Sequence, residues 1–314
     1  MKMRVLVLGA GGIGGYFGAR MQAAGGDVTF LVRPARAAQL REKGLQVFSP
    51  LGDLQLVPKV VTQEELHEAR EVYDVIVLTC KAFDLPSAME AIAPAVGEQT
   101  VIVPLLNGVR HIDTLVGRFG AGRVLGGVAL ISVTLAPSGE VRHLNQLHRF
   151  TIGSLGWRPS PWREPFARLM ESSGVDFVLS DNVGQAMWDK VVFLATLAGA
   201  TCLMRASVGV IMGTLAGEGF INGLLDECAA IAAANGRKLA DTQLTVFRNM
   251  LTDRNSPLVA SMLRDVEAGK PTEADHILGD MVAWGESKQV ATPLLRLAYS
   301  HLQAYERRRQ AEAG

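Results

Sequence analysis

The chain opens with a run of β-branched and aliphatic residues at 4–8, and similar short runs recur at 28–32, 75–78, 100–103 and 124–128. Each is too short for a helix and rich in Val, Ile and Leu, the mark of a strand buried on both faces. An amphipathic stretch at 12–24 separates the first two. This strand–helix–strand order predicts a parallel sheet covered by helices. Two further pairs of runs, 45–48 with 54–57 and 141–144 with 149–152, predict hairpins added to that sheet. After Ser180 and Asp181 the strand pattern stops. Helical periodicity takes over at 182–204, 214–234, 240–251, 257–268, 272–288 and 293–309. Asn235-Gly236 and Gly269 are helix stops, and Thr292-Pro293 predicts a capping Thr with Pro at the first helical position. The pattern divides the chain into an α/β domain over residues 1–181 and an all-α domain over 182–314.

Composition supports that division. A chain of 314 residues exceeds the usual single domain, and 48% hydrophobic against 20% charged residues is enough apolar material for two cores. Lys+Arg and Asp+Glu both number 31, so there is no electrostatic footprint for nucleic acid or an anionic membrane. An anionic ligand must then be met by cations placed locally. Cys80, Cys202 and Cys228 are far apart and the histidines lack ligand spacing, so no disulfide framework or metal site is expected, and a reducing cytoplasm fits. His143 and His148 flank the second predicted hairpin. The apolar opening is broken by glycines from Gly9 to Gly15 and no cleavage pattern follows, which argues against a signal peptide. Charge-free stretches such as 191–204 are shorter than a bilayer span, so a soluble protein is expected.

The first chemical motif follows the first strand. Gly9, Ala10, Gly11, Gly12, Ile13 and Gly14 form GxGxxG between a strand and a helix, the context in which this otherwise weak pattern binds a dinucleotide in a Rossmann-type domain. Gly9 allows the tight turn, Gly11 lets a pyrophosphate approach, and Gly14 brings helix and strand together. The end of the second strand selects the dinucleotide. An Asp or Glu there would accept from a ribose 2′-hydroxyl; this chain has Arg33 instead, with Arg36 close behind and no carboxylate to repel a phosphate. Arg33 offers a fork to a 2′-phosphate and Lys81, after the strand at 75–78, a second charge. The cofactor is read as NADP, in its reduced form NADPH.

Further words follow along the chain: Thr79-Cys80-Lys81-Ala82, Leu106-Asn107-Gly108, Met187-Trp188-Asp189-Lys190, Ser261-Met262-Leu263-Arg264-Asp265 and Thr272-Glu273-Ala274-Asp275. In order and spacing, and over essentially the whole chain, they resemble the ketopantoate reductases (2-dehydropantoate 2-reductases). The resemblance implies NADPH held by residues 9–14, Arg33 and Lys81, with Asn107 where nicotinamide and substrate meet. It implies Lys190 as general acid, Ser261 as a substrate-binding serine, and Glu273 touching substrate or cofactor. Arg205 stands in a stretch from which the family also draws substrate partners. From the residues alone, Lys190 at the head of an apolar helix reads as a lysine snorkelling to solvent, and Glu273 reads equally as a carboxylate favoured by a helix dipole. The Met-Trp-x-Lys match turns the reading of Lys190 to acid catalysis.

One departure bears on the substrate. The family carries Lys-x3-Asn-x3-Asn on this helix, and here the two Asn positions hold Leu194 and Ala198. The leading reading is reduction of ketopantoate to pantoate for pantothenate and coenzyme A synthesis. The alternatives are a paralogue reducing a different, more apolar 2-oxo acid, and a non-catalytic NADP(H)-binding regulatory protein. The partner expected is a small 2-oxo acid; a homodimer stays open.

Overall fold

The structure, a computed structural model, describes residues 2–156 and 161–313. They form two compact units. One comprises Met1–Leu106 with His111–Gly184, the other Asn107–Arg110 with Gln185–Gly314.

Among the described residues the first unit contains ten strands: β1 (Arg4–Leu8), β2 (Asp27–Leu31), β3 (Leu45–Phe48), β4 (Leu54–Leu56), β5 (Lys59–Val61), β6 (Tyr73–Leu78), β7 (Val96–Pro104), β8 (Gly126–Leu135), β9 (Val141–Gly153) and β10 (Asp176–Ser180). Five of them make a parallel sheet in the order β5-β2-β1-β6-β7. Successive strand residues face opposite ways, and the sheet separates them into two cores. Val5, Val7, Val75, Val77, Val101 and Val103 enter one; Leu6, Ile76, Leu78 and Ile102 enter the other. A sheet buried on both faces explains the continuous apolar runs.

A second sheet, β10-β9-β3-β4 with β8 on β9, packs through Phe150 against Phe17 of the helix Gly12–Ala23, ring centroids 4.9 Å apart. The hairpin expected at 45–57 forms as β3 and β4, but in this second sheet and not as an addition to the parallel one. The one expected at 141–152 does not. Those residues make one strand, β9, which runs antiparallel to β8 along its length. Ile131 lies opposite His148 and Val133 opposite His143, so the surplus residues bulge out of the ladder. The bulge closes on itself through Leu147 N–H to Asn145 Oδ1 (3.2 Å) and a His143 Nε2–Leu147 carbonyl bond (3.0 Å). The polar stretch between His143 and His148 reads as a turn, but β8 gives both of its flanks one partner and one direction.

The second unit is helical. Its central helix, Val183–Met204, is apolar nearly all round because it is a core element. Val191, Val192, Ala195, Leu197, Ala198 and Cys202 are all buried. By length and composition this helix could cross a membrane, yet 61% of that span is buried in the unit. The hydroxyls of Thr196 and Thr201 are absorbed by the carbonyls four residues earlier.

Several helix starts differ from the periodicity. The helix expected from 257 begins at Ser261, because Val208 and Gly209 N–H groups take the carbonyls of Leu258 and Ser256 and hold that segment extended. They do so as the first turn of an additional short helix, Val208–Met212. The helix expected from 272 starts after Glu273 with a π-helical turn, Asp275–Gly279, before Asp280–Ser287. The last helix starts at Pro293 as expected, but the carboxylate of Glu227 receives the Leu294 and Leu295 N–H groups, at 3.0 and 2.8 Å. Gly236 and Gly269 do stop helices, at φ 74° and 66°.

Candidate functional site

The turn after β1 has the shape its glycines predict. Gly9 has φ 96° and a side chain there would meet Thr79 Oγ1 at 3.1 Å. A Cβ on Gly14 would lie 2.2 Å from the Gly9 carbonyl oxygen, so the helix sits directly on the turn. A Cβ on Gly11 would meet nothing within 4 Å. Gly11 caps the helix Gly12–Ala23, which carries no side-chain cap and no acidic residue in its first turn. Helix-terminal N–H groups without intrahelical partners, beside open space, suit an anion such as a pyrophosphate. Gly12 owes its size to something else: a Cβ there would collide with the Val133 side chain of β8, at 2.6 Å.

Arg36 belongs to this turn in a way its sequence position does not suggest. Its Nε and Nη2 both donate to the Ala10 carbonyl, at 3.2 and 2.9 Å, and Nη1 donates to the Gly139 carbonyl at 2.9 Å. The guanidinium is thus committed to the protein, not to a phosphate. A planar trans peptide points its C=O and N–H in opposite directions, so the grip on Ala10 aims the Gly11 N–H away from Arg36. Thr79 supports the turn from the other side, donating from Oγ1 to the Leu8 carbonyl at 2.8 Å.

Arg33 stands just beyond β2 with its side chain 83% exposed. The absence of a nearby carboxylate, expected from the residues that follow β2, does not hold. Asp84, from the turn after β6, places Oδ1 3.3 Å from Arg33 Nη2. Lys81 begins that turn, its carbonyl accepting from the Asp84 N–H at 3.0 Å. Because β2 and β6 flank β1, the ends of all three strands come together, where ligands of open α/β sheets bind.

In the helical unit, Lys190 lies on the second turn of the central helix and is half-buried. Burial pushes its amine down to about 8, against the opposing pull of the Glu273 carboxylate. Glu273 is itself buried and accepts from Asn107 Nδ2 at 3.3 Å. Asn107 belongs to this unit because the segment Asn107–Arg110 is seated on the helix Asp280–Ser287 and the π-turn before it. Arg110 Nε meets Asp280 Oδ1 at 2.7 Å and its guanidinium lies over the Trp284 ring. Gly108, at φ 88°, approaches the His276 carbonyl so closely that a Cβ would stand 2.9 Å from it. Trp284 packs on Trp188, centroids 4.8 Å apart, two residues before Lys190. Lysine, carboxylate and amide are thus members of one polar group in this unit. A π-turn directly after Glu273 is a feature often found at functional positions.

Two other candidates lie elsewhere. The N–H of Ala260 donates to Thr201 Oγ1 at 3.3 Å, so Ser261, exposed at its helix start, adjoins the turn of the central helix that carries Ala198 and Thr201. Arg205 ends that helix in the left-handed region, φ 52°, and is exposed near His301 and Tyr305. It is fifteen residues from Lys190, about 22 Å at 1.5 Å per residue. The structure does not bring Arg205 to the lysine group.

Two family models match the chain. "Ketopantoate reductase PanE/ApbA" matches residues 5–157, and the C-terminal model of that family matches residues 182–306. The chain belongs to the ketopantoate reductase family. It is an oxidoreductase, like the uncharacterized oxidoreductase YkpB of Bacillus subtilis, to which it is 36% identical over 97% of this chain and 99% of that one. The crystal structure of 2-dehydropantoate 2-reductase from Geobacter metallireducens superposes with a TM-score of 0.86 at 30% identity, covering 96% of this chain and 99% of that one. A ternary structure of D-mandelate dehydrogenase with NADH and anilino(oxo)acetate has a TM-score of 0.87 at 22% identity, covering 98% and 100%, a likeness of fold alone. On the central helix Leu194 is partly buried and Ala198 is buried. They follow Lys190 at four and eight residues and share its helix face.

Proposed function

We propose that the protein reduces a 2-oxo acid to the 2-hydroxy acid with NADPH, using Lys190 as general acid. The observation that carries this is the Lys190–Glu273–Asn107 group. An amine held near 8 is mostly protonated at neutral pH yet gives up its proton readily, the match a general acid needs. When bound, the reduced nicotinamide supplies the hydride. Lys190 opposes the negative charge that grows on the carbonyl oxygen and delivers the proton to that oxygen. Glu273 keeps the lysine charged and fixes the Asn107 amide.

The turn of Gly9, Ala10, Gly11, Gly12, Ile13 and Gly14 holds the pyrophosphate, and Arg33 and Lys81 meet the 2′-phosphate. Ser261 lies along the substrate's side of the helix. Ketopantoate is the first substrate to test, since the family is named for it; its reduction would place the protein in pantothenate and coenzyme A synthesis. Leu194 and Ala198 favour a second reading, a more apolar 2-oxo acid, because a substrate hydroxyl would meet no polar partner from these two positions. Three free cysteines suit a reducing cytoplasm.

The test is NADPH and NADH oxidation with ketopantoate, 2-oxoisovalerate and phenylglyoxylate. The highest kcat/KM with ketopantoate and NADPH supports the first reading, and a higher value for an acid without the hydroxyl supports the second. Equal use of NADH removes the assignment of Arg33. No oxidation with any 2-oxo acid, alongside tight NADPH binding, overturns both readings in favour of a non-catalytic binding protein.

A further inference from the structure

We propose that Asp84 sets the limit on cofactor preference: its carboxylate holds the Arg33 guanidinium and competes for it with the 2′-phosphate. This rests on the reading that Arg33 meets that phosphate. In dinucleotide-binding domains a carboxylate that discriminates against the 2′-phosphate usually stands at the end of the second strand. Here that place is taken by Arg33, and the carboxylate arrives from the turn after β6, across β1 from β2 and 51 residues away in sequence.

Three features point to a role at the ligand and not in the fold. Asp84 ends the 3-10 turn Ala82–Asp84 that runs into the helix Leu85–Ile92, and its side chain makes no capping bond to that helix. It is turned to Arg33 instead, with Oδ1 3.3 Å from Nη2. The pair is open to solvent, 83% exposed on the Arg33 side chain and 36% on Asp84, so a ligand can reach it.

The charges decide the consequence. A 2′-phosphate that takes the Arg33 fork must displace Asp84 and then lie near an unneutralised carboxylate. A dinucleotide with a plain 2′-hydroxyl leaves the pair in place. Asp84 therefore costs NADPH affinity and leaves NADH affinity nearly alone. Exposed ion pairs contribute little each, so removing the carboxylate should tighten NADPH by about two- to five-fold, less at high salt.

The experiment is titration of the full chain with NADPH and with NADH, at low and high salt, for four proteins: wild type, Asp84→Asn, Arg33→Gln and the double variant. Asn keeps the shape of Asp and removes its charge. The expected result is a several-fold gain in NADPH affinity for Asp84→Asn, no matching gain for NADH, and loss of the gain when Arg33 is already Gln. An unchanged NADPH Kd in Asp84→Asn overturns the proposal while leaving Arg33 as the phosphate ligand, provided Arg33→Gln weakens NADPH. A gain that persists in the double variant shows that Asp84 does not act through Arg33 and overturns it also. If Arg33→Gln binds NADPH like wild type, the parent reading fails and takes the proposal with it.

Discussion

Lys190 carries the pH behaviour expected of the enzyme. On the proposed role of Lys190 as general acid, reduction needs its protonated form, and its pKa stands near 8 because burial lowers it more than Glu273 raises it. At saturating substrate the rate should hold steady below about pH 8 and fall as the pH rises through that value. Glu273→Gln removes the charge that favours the protonated amine. Its alkaline limb should therefore move to lower pH, whatever the change in KM. A pH profile of kcat for the two proteins checks this, and coincident alkaline limbs would remove Glu273 from that role. Lys190 was legible in the sequence only through its Met-Trp-x-Lys neighbourhood, since apolar periodicity alone describes a lysine reaching for solvent. Asp84 was not legible: its partner Arg33 follows another strand, and only the order β2-β1-β6 brings them together.

At the scale of the element, the glycine turn shows two different uses of one residue type. A side chain on Gly14 would strike the backbone of Gly9, whereas one on Gly11 would enter open space. Gly14→Ala should therefore destabilise the fold, by about 1–3 kcal/mol or more as overpacking does. Gly11→Ala should melt close to wild type yet bind NADPH at least about tenfold more weakly, a loss of roughly 1.4 kcal/mol. Thermal melts with and without NADPH separate the two. Equal stability of both variants, or full NADPH affinity in Gly11→Ala, would contradict this division. The motif was readable because its spacing reflects backbone geometry. The neighbours that complete it were not: Arg36 stands in sequence only as a residue close behind Arg33, and in the structure it is tied to Ala10 and Gly139. The bulge in β9 and the late start at Ser261 have the same cause, long-range backbone partners that local polarity does not encode.

At the scale of the whole molecule, hydrophobic patterning was the most informative signal. Four of the five short apolar runs entered the parallel sheet, the fifth, 124–128, leads into β8 of the second sheet, and the change to helical periodicity after Ser180 marked the helical segments of the second unit. Less visible was the segment Asn107–Arg110, which follows β7 in sequence but is seated among the helices by Arg110, Asp280 and Trp284. That placement puts Asn107 beside Glu273 and gives the lysine group its third member. The central claim is that this group protonates the product oxygen. Its most direct test is single-turnover NADPH oxidation by Lys190→Ala, saturated with cofactor and the best 2-oxo acid. The expected result is a fall of about 10²–10⁴-fold in the hydride-transfer rate with NADPH affinity unchanged; transfer at the wild-type rate would show that Lys190 is not the acid.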